Sequence, residues 1–159
     1  MTESPEQQAR DRALRTAANV LQYRQRSARA LYDRLLEKGL EPELAEYAVE
    51  RLQQLGYLND VEYGRLLVRE LSARGYGAGR IRQELREKKL EPEALEAAME
   101  EYQADPERLR RYIEGKLRGQ APDRRMLKKV SDGLFRRGFS WEEIRAALRR
   151  YADQLEDTE

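Results

Sequence analysis

The chain has 159 residues, 40% hydrophobic and 38% charged, with ten Gly, five Pro and a formal net charge of +1. That balance favours helices with narrow apolar stripes over a sheet core, and few stretches alternate apolar with polar β-branched residues as strands do. With no Cys and no His, the chain has no disulfide frame, no thiol chemistry and no usual neutral-pH base, and it carries no apolar run of membrane-span or leader length.

In chain order, "SPEQ" (4–7) gives the first helix start, so residues 1–9 read as a polar extension of helix one. Ser27 suits the N-cap of the second helix, Gly39 the left-handed position that ends it, and Pro42, preceded by Glu41, the opening of the third. "NDVE" (59–62) opens the fourth. Gly75-Tyr76-Gly77 then ends it and starts the fifth at a sharp angle. Both glycines suit φ > 0 there, Gly77 suits the next N-cap, and Tyr76 is expected to pack against a neighbouring helix. Lys89 stands where a C-terminal glycine would end the fifth helix, and Pro92 opens the sixth. "DPER" (105–108) opens the seventh, Pro122 suits the first position of the eighth, Gly138 suits its end, and "SWEE" (140–143) is a capping box for the ninth. Nine main helices are expected.

These signals recur. Pro42 and Pro92 lie 50 residues apart, and the same shift places Leu31, Leu35, Leu40 and Val49 on Ile81, Leu85, Leu90 and Met99. It also places Ala17, Ala18 and Leu21 on Leu67, Val68 and Leu71, each set with helical spacing. A shift of 99 puts Gly138 on Gly39 and Leu134 on Leu35, but it matches the first helix poorly, with Lys116 on Ala17 and Gln120 on Leu21. The expected fold is all-α, an elongated, curved array of three tandem three-helix repeats at 10–58, 59–103 and 104–152, followed by an acidic tail at 153–159. Repeats of about 50 residues bury too little alone, so neighbours should share surface.

The near-neutral total hides a strong polarity. Residues 105–151 hold fourteen Lys and Arg against seven Asp and Glu, an excess of +7, whereas 60–103 sum to −2 and the tail from 152 adds −4. In "DRRMLKKV" (123–130), Arg124 and Lys128, and Arg125 and Lys129, are i, i+4 pairs on one broad helix face, with Met126, Leu127 and Val130 on the other. Arg136 and Arg137 are expected to extend the cationic side. Such a row either follows a phosphate backbone, meets an acidic protein surface, or is a solvated face paired with nearby acids. A secondary row is Arg74, Tyr76, Arg80, Arg82 and Arg86, where Glu84 and Glu87 are near enough to neutralise part of it. The nine tyrosines could stack on bases; their helical spacing beside Leu and Ala favours core packing instead. No phosphate loop, metal cluster or nucleophile–base pair is present, so the reading is of a non-enzyme with no cofactor.

With these residues in view, the sequence resembles the RecX family of bacterial recombinase regulators. The resemblance lies in "LGYLND" (55–60) followed by Tyr63, "RGYGAGRIRQEL" (74–85) and "FRRGFSWEEI" (135–144), and it covers roughly residues 10–151. It implies three tandem three-helix repeats. It also implies binding to the RecA recombinase filament on single-stranded DNA, with duplex DNA bound more weakly, and damping of ATP hydrolysis, strand exchange and the co-protease activity that triggers the SOS response. A cytoplasmic monomer with no membrane contact is the expectation. Two alternatives stand beside it: a stand-alone helical DNA-binding protein, and a protein-interaction solenoid without DNA contact.

Overall fold

The computed structural model describes residues 3–157, which form nine helices and no strand. They are α1 (Pro5–Tyr23), α2 (Ala28–Glu37), α3 (Pro42–Gln54), α4 (Asp60–Ala73), α5 (Ala78–Glu87), α6 (Pro92–Met99), α7 (Pro106–Leu117), α8 (Arg124–Arg136) and α9 (Trp141–Asp157). Of the expected extension and tail, residues 1, 2, 158 and 159 lie outside the described residues. From Pro5 the extension is already helix, and through Asp157 the tail continues α9.

The caps explain the boundaries. Ser4, Ser27, Asn59 and Asp105 each accept the backbone N–H three residues on, at 3.1–3.2 Å. Ser140 and Glu143 form the reciprocal pair of a capping box at 3.1 Å. Pro42 and Pro92 open α3 and α6. Gly39 and Gly138 end α2 and α8 at φ +93° and +100°, and Lys89 takes the same left-handed position at +63°. Two boundaries differ from expectation. Pro122 lies outside α8, because Asp123 caps that helix by accepting the Met126 N–H at 2.8 Å. Gly77 has no positive φ; of the hinge glycines only Gly75 does, at +89°.

The chain divides into two compact units. One comprises the chain up to Leu67 together with Glu84–Met99; the other comprises Val68–Gln83 with the chain from Glu100 onward. The second repeat is thus shared, α4 and α5 each crossing the division. In the first unit, α1 packs on α3 and α2 around Ala17, Leu31, Leu35, Ala45 and Ala48, all fully buried. Gly64 lets α4 approach α6, since a Cβ there would sit 2.6 Å from the Ala98 Cβ. The Asp60 carboxylate, from the "LGYLND" stretch, accepts the Ala28 N–H at 2.8 Å and so helps cap α2. In the second unit, α7 packs on α9 and α8 around Ile113, Leu117, Leu134 and Ile144.

The buried faces correct the repeat register. The inward positions of α1 are Ala13, Ala17 and Val20, while Ala18 is exposed. Those of α4 are Gly64, Val68 and Leu71, an offset of 51. Those of α7 are Leu109, Ile113 and Leu117, so Ala17 corresponds to Ile113 and not to Lys116. The cause in the third repeat is a longer connection before α8, turned by Arg118 and Gly119 at φ +52° and +73°.

Candidate nucleic-acid interface

The second unit joins two of the quoted motifs through bare backbone. Gly77 N–H donates to the Arg137 carbonyl at 2.8 Å and Gly79 N–H to the Gly138 carbonyl at 2.9 Å. A Cβ on Gly77 would stand 2.7 Å from the Gly138 carbonyl atoms, and one on Gly138 would stand 2.3 Å from the Arg80 nitrogen. The Ala78 N–H donates to the Tyr102 hydroxyl. Burial raises the Tyr102 phenol above its ordinary range and Glu143 adds to this, while the Ala78 bond opposes it. The first backbone donors of α5 are therefore satisfied by the turn between α8 and α9 and by Tyr102. That turn is in this way held to the start of α5.

From this anchored turn α8 runs back along its basic sequence. Val130 and Leu134 are buried, and the opposite side carries Arg125, Lys128, Lys129 and Arg136, all exposed, with Arg124 at the flank. The row extends over roughly 18 Å of helix. Two of its cations stand in the first turn, where the helix dipole disfavours positive charge, and no acidic residue occupies that turn to offset them. Lys128 meets Asp132 at 3.1 Å, but these side chains are 79% and 40% exposed, so the pair holds the charge weakly. Among the described residues no carboxylate lies within ion-pair distance of Arg124, Arg125, Lys129 or Arg136.

Two expectations change here. Met126 and Leu127 share the side of Val130, away from the cations, but are 37% and 39% exposed, because α8 turns only Val130 and Leu134 fully inward. Arg137 leaves the row. It follows the last turn of α8, is half-buried, and lays its guanidinium 5.2 Å from the centre of the Tyr112 ring, which Lys116 also approaches at 5.6 Å. Tyr23 and Tyr57 are 88% and 75% exposed, so core packing does not account for them.

The secondary row is dispersed. Tyr76 is half-buried with the Arg80 guanidinium 5.3 Å from its ring centre, and Arg82 is likewise partly buried. Arg74 is exposed past the end of α4, and Arg86 is exposed in the last turn of α5, where the helix dipole favours a cation. The geometry gathers five cations on one face of α8, with Asp132 the single carboxylate among them, and disperses those of α5.

A feature missed by sequence reasoning is an exposed aromatic pair. Phe135, the penultimate residue of α8, stacks on Trp141, the first of α9, with ring centroids 4.6 Å apart and planes 12° from parallel. The two residues are 50% and 43% exposed. Both lie in "FRRGFSWEEI"; the available signal was two large aromatics flanking a glycine turn beside a cationic helix.

Family models match the chain in three consecutive segments. The first three-helix domain of RecX matches residues 9–52, the second 59–99 and the third 103–148. A curated relative from Xanthomonas oryzae pv. oryzae (strain MAFF 311018), named regulatory protein RecX, is 38% identical over 135 residues, 84% of each chain. Its namesake from Stenotrophomonas maltophilia (strain R551-3) is 35% identical over the same length, 84% of this chain and 83% of the other. Among solved structures, the crystal structure of RecX from Lactobacillus salivarius superposes with a TM-score of 0.82 at 20% identity, covering 91% of this chain and 97% of that one.

Proposed function

The chain belongs to the RecX family, and on that premise we propose that it regulates the RecA recombinase, mainly as an inhibitor. It binds the RecA filament on single-stranded DNA, lies in the filament groove against more than one protomer, and damps ATP hydrolysis, strand exchange and co-protease activity. In this reading the protein works in the cytoplasm as a monomer and without catalysis of its own. Duplex DNA is a weaker ligand.

The observation that carries the reading is the match to all three family domains in order. The exposed, largely unpaired cations Arg124, Arg125, Lys128, Lys129 and Arg136 support a phosphate backbone or an acidic recombinase surface as the opposing face. Arg137 and Arg80 lie against the Tyr112 and Tyr76 rings, so they, with Tyr76 and the partly buried Arg82, are secondary to the α8 row. Arg74 and Arg86 remain secondary contacts.

The test is ATP hydrolysis by preformed RecA filaments on single-stranded DNA as the protein is titrated in. Inhibition well below one molecule per protomer is expected, since each molecule restrains several. Inhibition only at amounts that coat bare DNA would assign the protein to simple competition for DNA, and no inhibition of a cognate recombinase would overturn the reading.

A further inference from the structure

We propose that the stacked Phe135–Trp141 pair is a platform on which one nucleobase of single-stranded DNA stacks while its phosphates follow the cations of α8. The inference rests on the reading that this face meets single-stranded DNA, and it names the contact that reading lacks. In a stacked pair each ring covers one face of the other, and Phe135 and Trp141 remain 50% and 43% exposed while stacked, which leaves the pair accessible from solvent. The turn that carries the pair is anchored through Gly77 and Gly79, so the platform is held in place before any ligand arrives.

The surroundings decide between occupants. Phe135 lies two helical turns beyond Lys128 and three beyond Arg124 on one side of α8, and Arg136 is its chain neighbour. The adjoining groove is lined by Arg80, Gln83, Phe135, Arg136, Phe139 and Glu143, so two cations, an amide and one carboxylate stand beside the Phe135 ring. Glu142 and Glu143 open α9 next to Trp141, but Glu143 is turned back onto the Ser140 N–H. A flat apolar ring linked to a negative charge at each side matches aromatics bordered by cations. A duplex, with its bases already stacked inside, does not present that ring.

Trp141 is the only tryptophan in the chain, so its emission reports on the platform alone. The full-length protein is titrated with an oligothymidine, following Trp141 emission and, in parallel, the anisotropy of the labelled strand. Saturable quenching that weakens with salt is expected, with duplex DNA of equal length quenching less. Phe135→Ala should weaken binding about tenfold or more, the scale of one lost base stack, and Phe135→Tyr should restore most of it. Phe135 is half exposed, so circular dichroism should show unchanged helicity. Binding without a change in Trp141 emission, no binding at low salt, or equal binding by Phe135→Ala would each overturn the proposal. Quenching by recombinase alone would also overturn it and assign the pair to a protein contact. Should Phe135→Ala still inhibit filament ATP hydrolysis in full, the platform falls and the regulator reading stands.

Discussion

A Cβ on Gly77 has nowhere to go. It would lie 2.7 Å from the Gly138 carbonyl atoms, on a backbone that also donates to Arg137. Gly77→Ala must push the two segments apart and loosen two hydrogen bonds, each worth about 1 kcal/mol, beyond an overpacking penalty of about 1–3 kcal/mol. A loss near 3 kcal/mol in urea unfolding is expected. Gly115→Ala is the control: it lies within α7 with nothing inside 4 Å of the added carbon, so helix propensity alone should stabilise it by about 0.5–1 kcal/mol. Equal effects of the two substitutions would contradict the backbone contact. Asp60 presents a different residue-scale question. Burial raises its carboxyl above the ordinary value, the Ala28 N–H pulls it partly back, and Glu91 raises it further. A raised carboxylate means that the folded state holds the proton more tightly, so stability from this group is lost as pH climbs from the ordinary value through the folded one. Asp60→Asn keeps an acceptor for Ala28 and removes the titration. Relative to the parent, that variant should therefore gain stability as pH climbs above the ordinary carboxylate range, measured by urea unfolding at each pH. Asp60→Ala at neutral pH should lose about 1 kcal/mol, as a missing cap does. A flat difference for Asp60→Asn across the range would refute the burial argument.

At the scale of elements, three second helices end in the same left-handed turn, two with glycine and one with Lys89 at φ +63°. A side chain there costs about 1–2 kcal/mol, whereas its ion pair with Asp33 at 2.7 Å is half exposed and of the kind worth about 0–1 kcal/mol. The conformational term wins, so Lys89→Gly should raise the unfolding midpoint, corresponding to roughly 1 kcal/mol. A lowered midpoint would show the Asp33 contact to be the stronger. The same element shows what the sequence could disclose. Helix starts were legible because capping is local: Ser27, Asn59, Asp105 and Ser140 bond groups three residues away. The offset of the first helices was not, because a connection lengthened at Arg118 and Gly119 shifts α7 against α8 without changing either helix's own pattern. The cations of α8 were legible as a run, but the departure of Arg137 depends on Tyr112, which lies on a different helix. Gly77 was noted for its freedom of φ, yet its reason is Gly138, some sixty residues away. Spacing shows which residues share a helix face. It does not show which faces meet.

At the scale of the molecule, an excess of +7 over residues 105–151 is balanced by acidic segments elsewhere, so the chain is nearly neutral but polar. Net charge gives little non-specific attraction; a field confined to one face gives orientation. If α8 faces phosphates, each neutralised phosphate contributes about −0.7 to the slope of log affinity against log salt on single strands. Arg124→Glu with Arg125→Glu separates this role from folding. Both positions lie in the first turn of α8, which lacks an acidic residue, and a negative charge there is favoured by about 0.3–1 kcal/mol each. The doubly substituted protein should therefore unfold at a higher temperature than the parent. Its affinity for single-stranded DNA filaments should fall, with a salt slope shallower by about 1.4 if both arginines meet phosphates. Stability and binding would then move in opposite directions, which simple damage to the fold does not produce. An unchanged slope with weaker binding would assign the two arginines to an acidic protein surface. Unchanged affinity together with the higher melting temperature would remove the first turn of α8 from the interface.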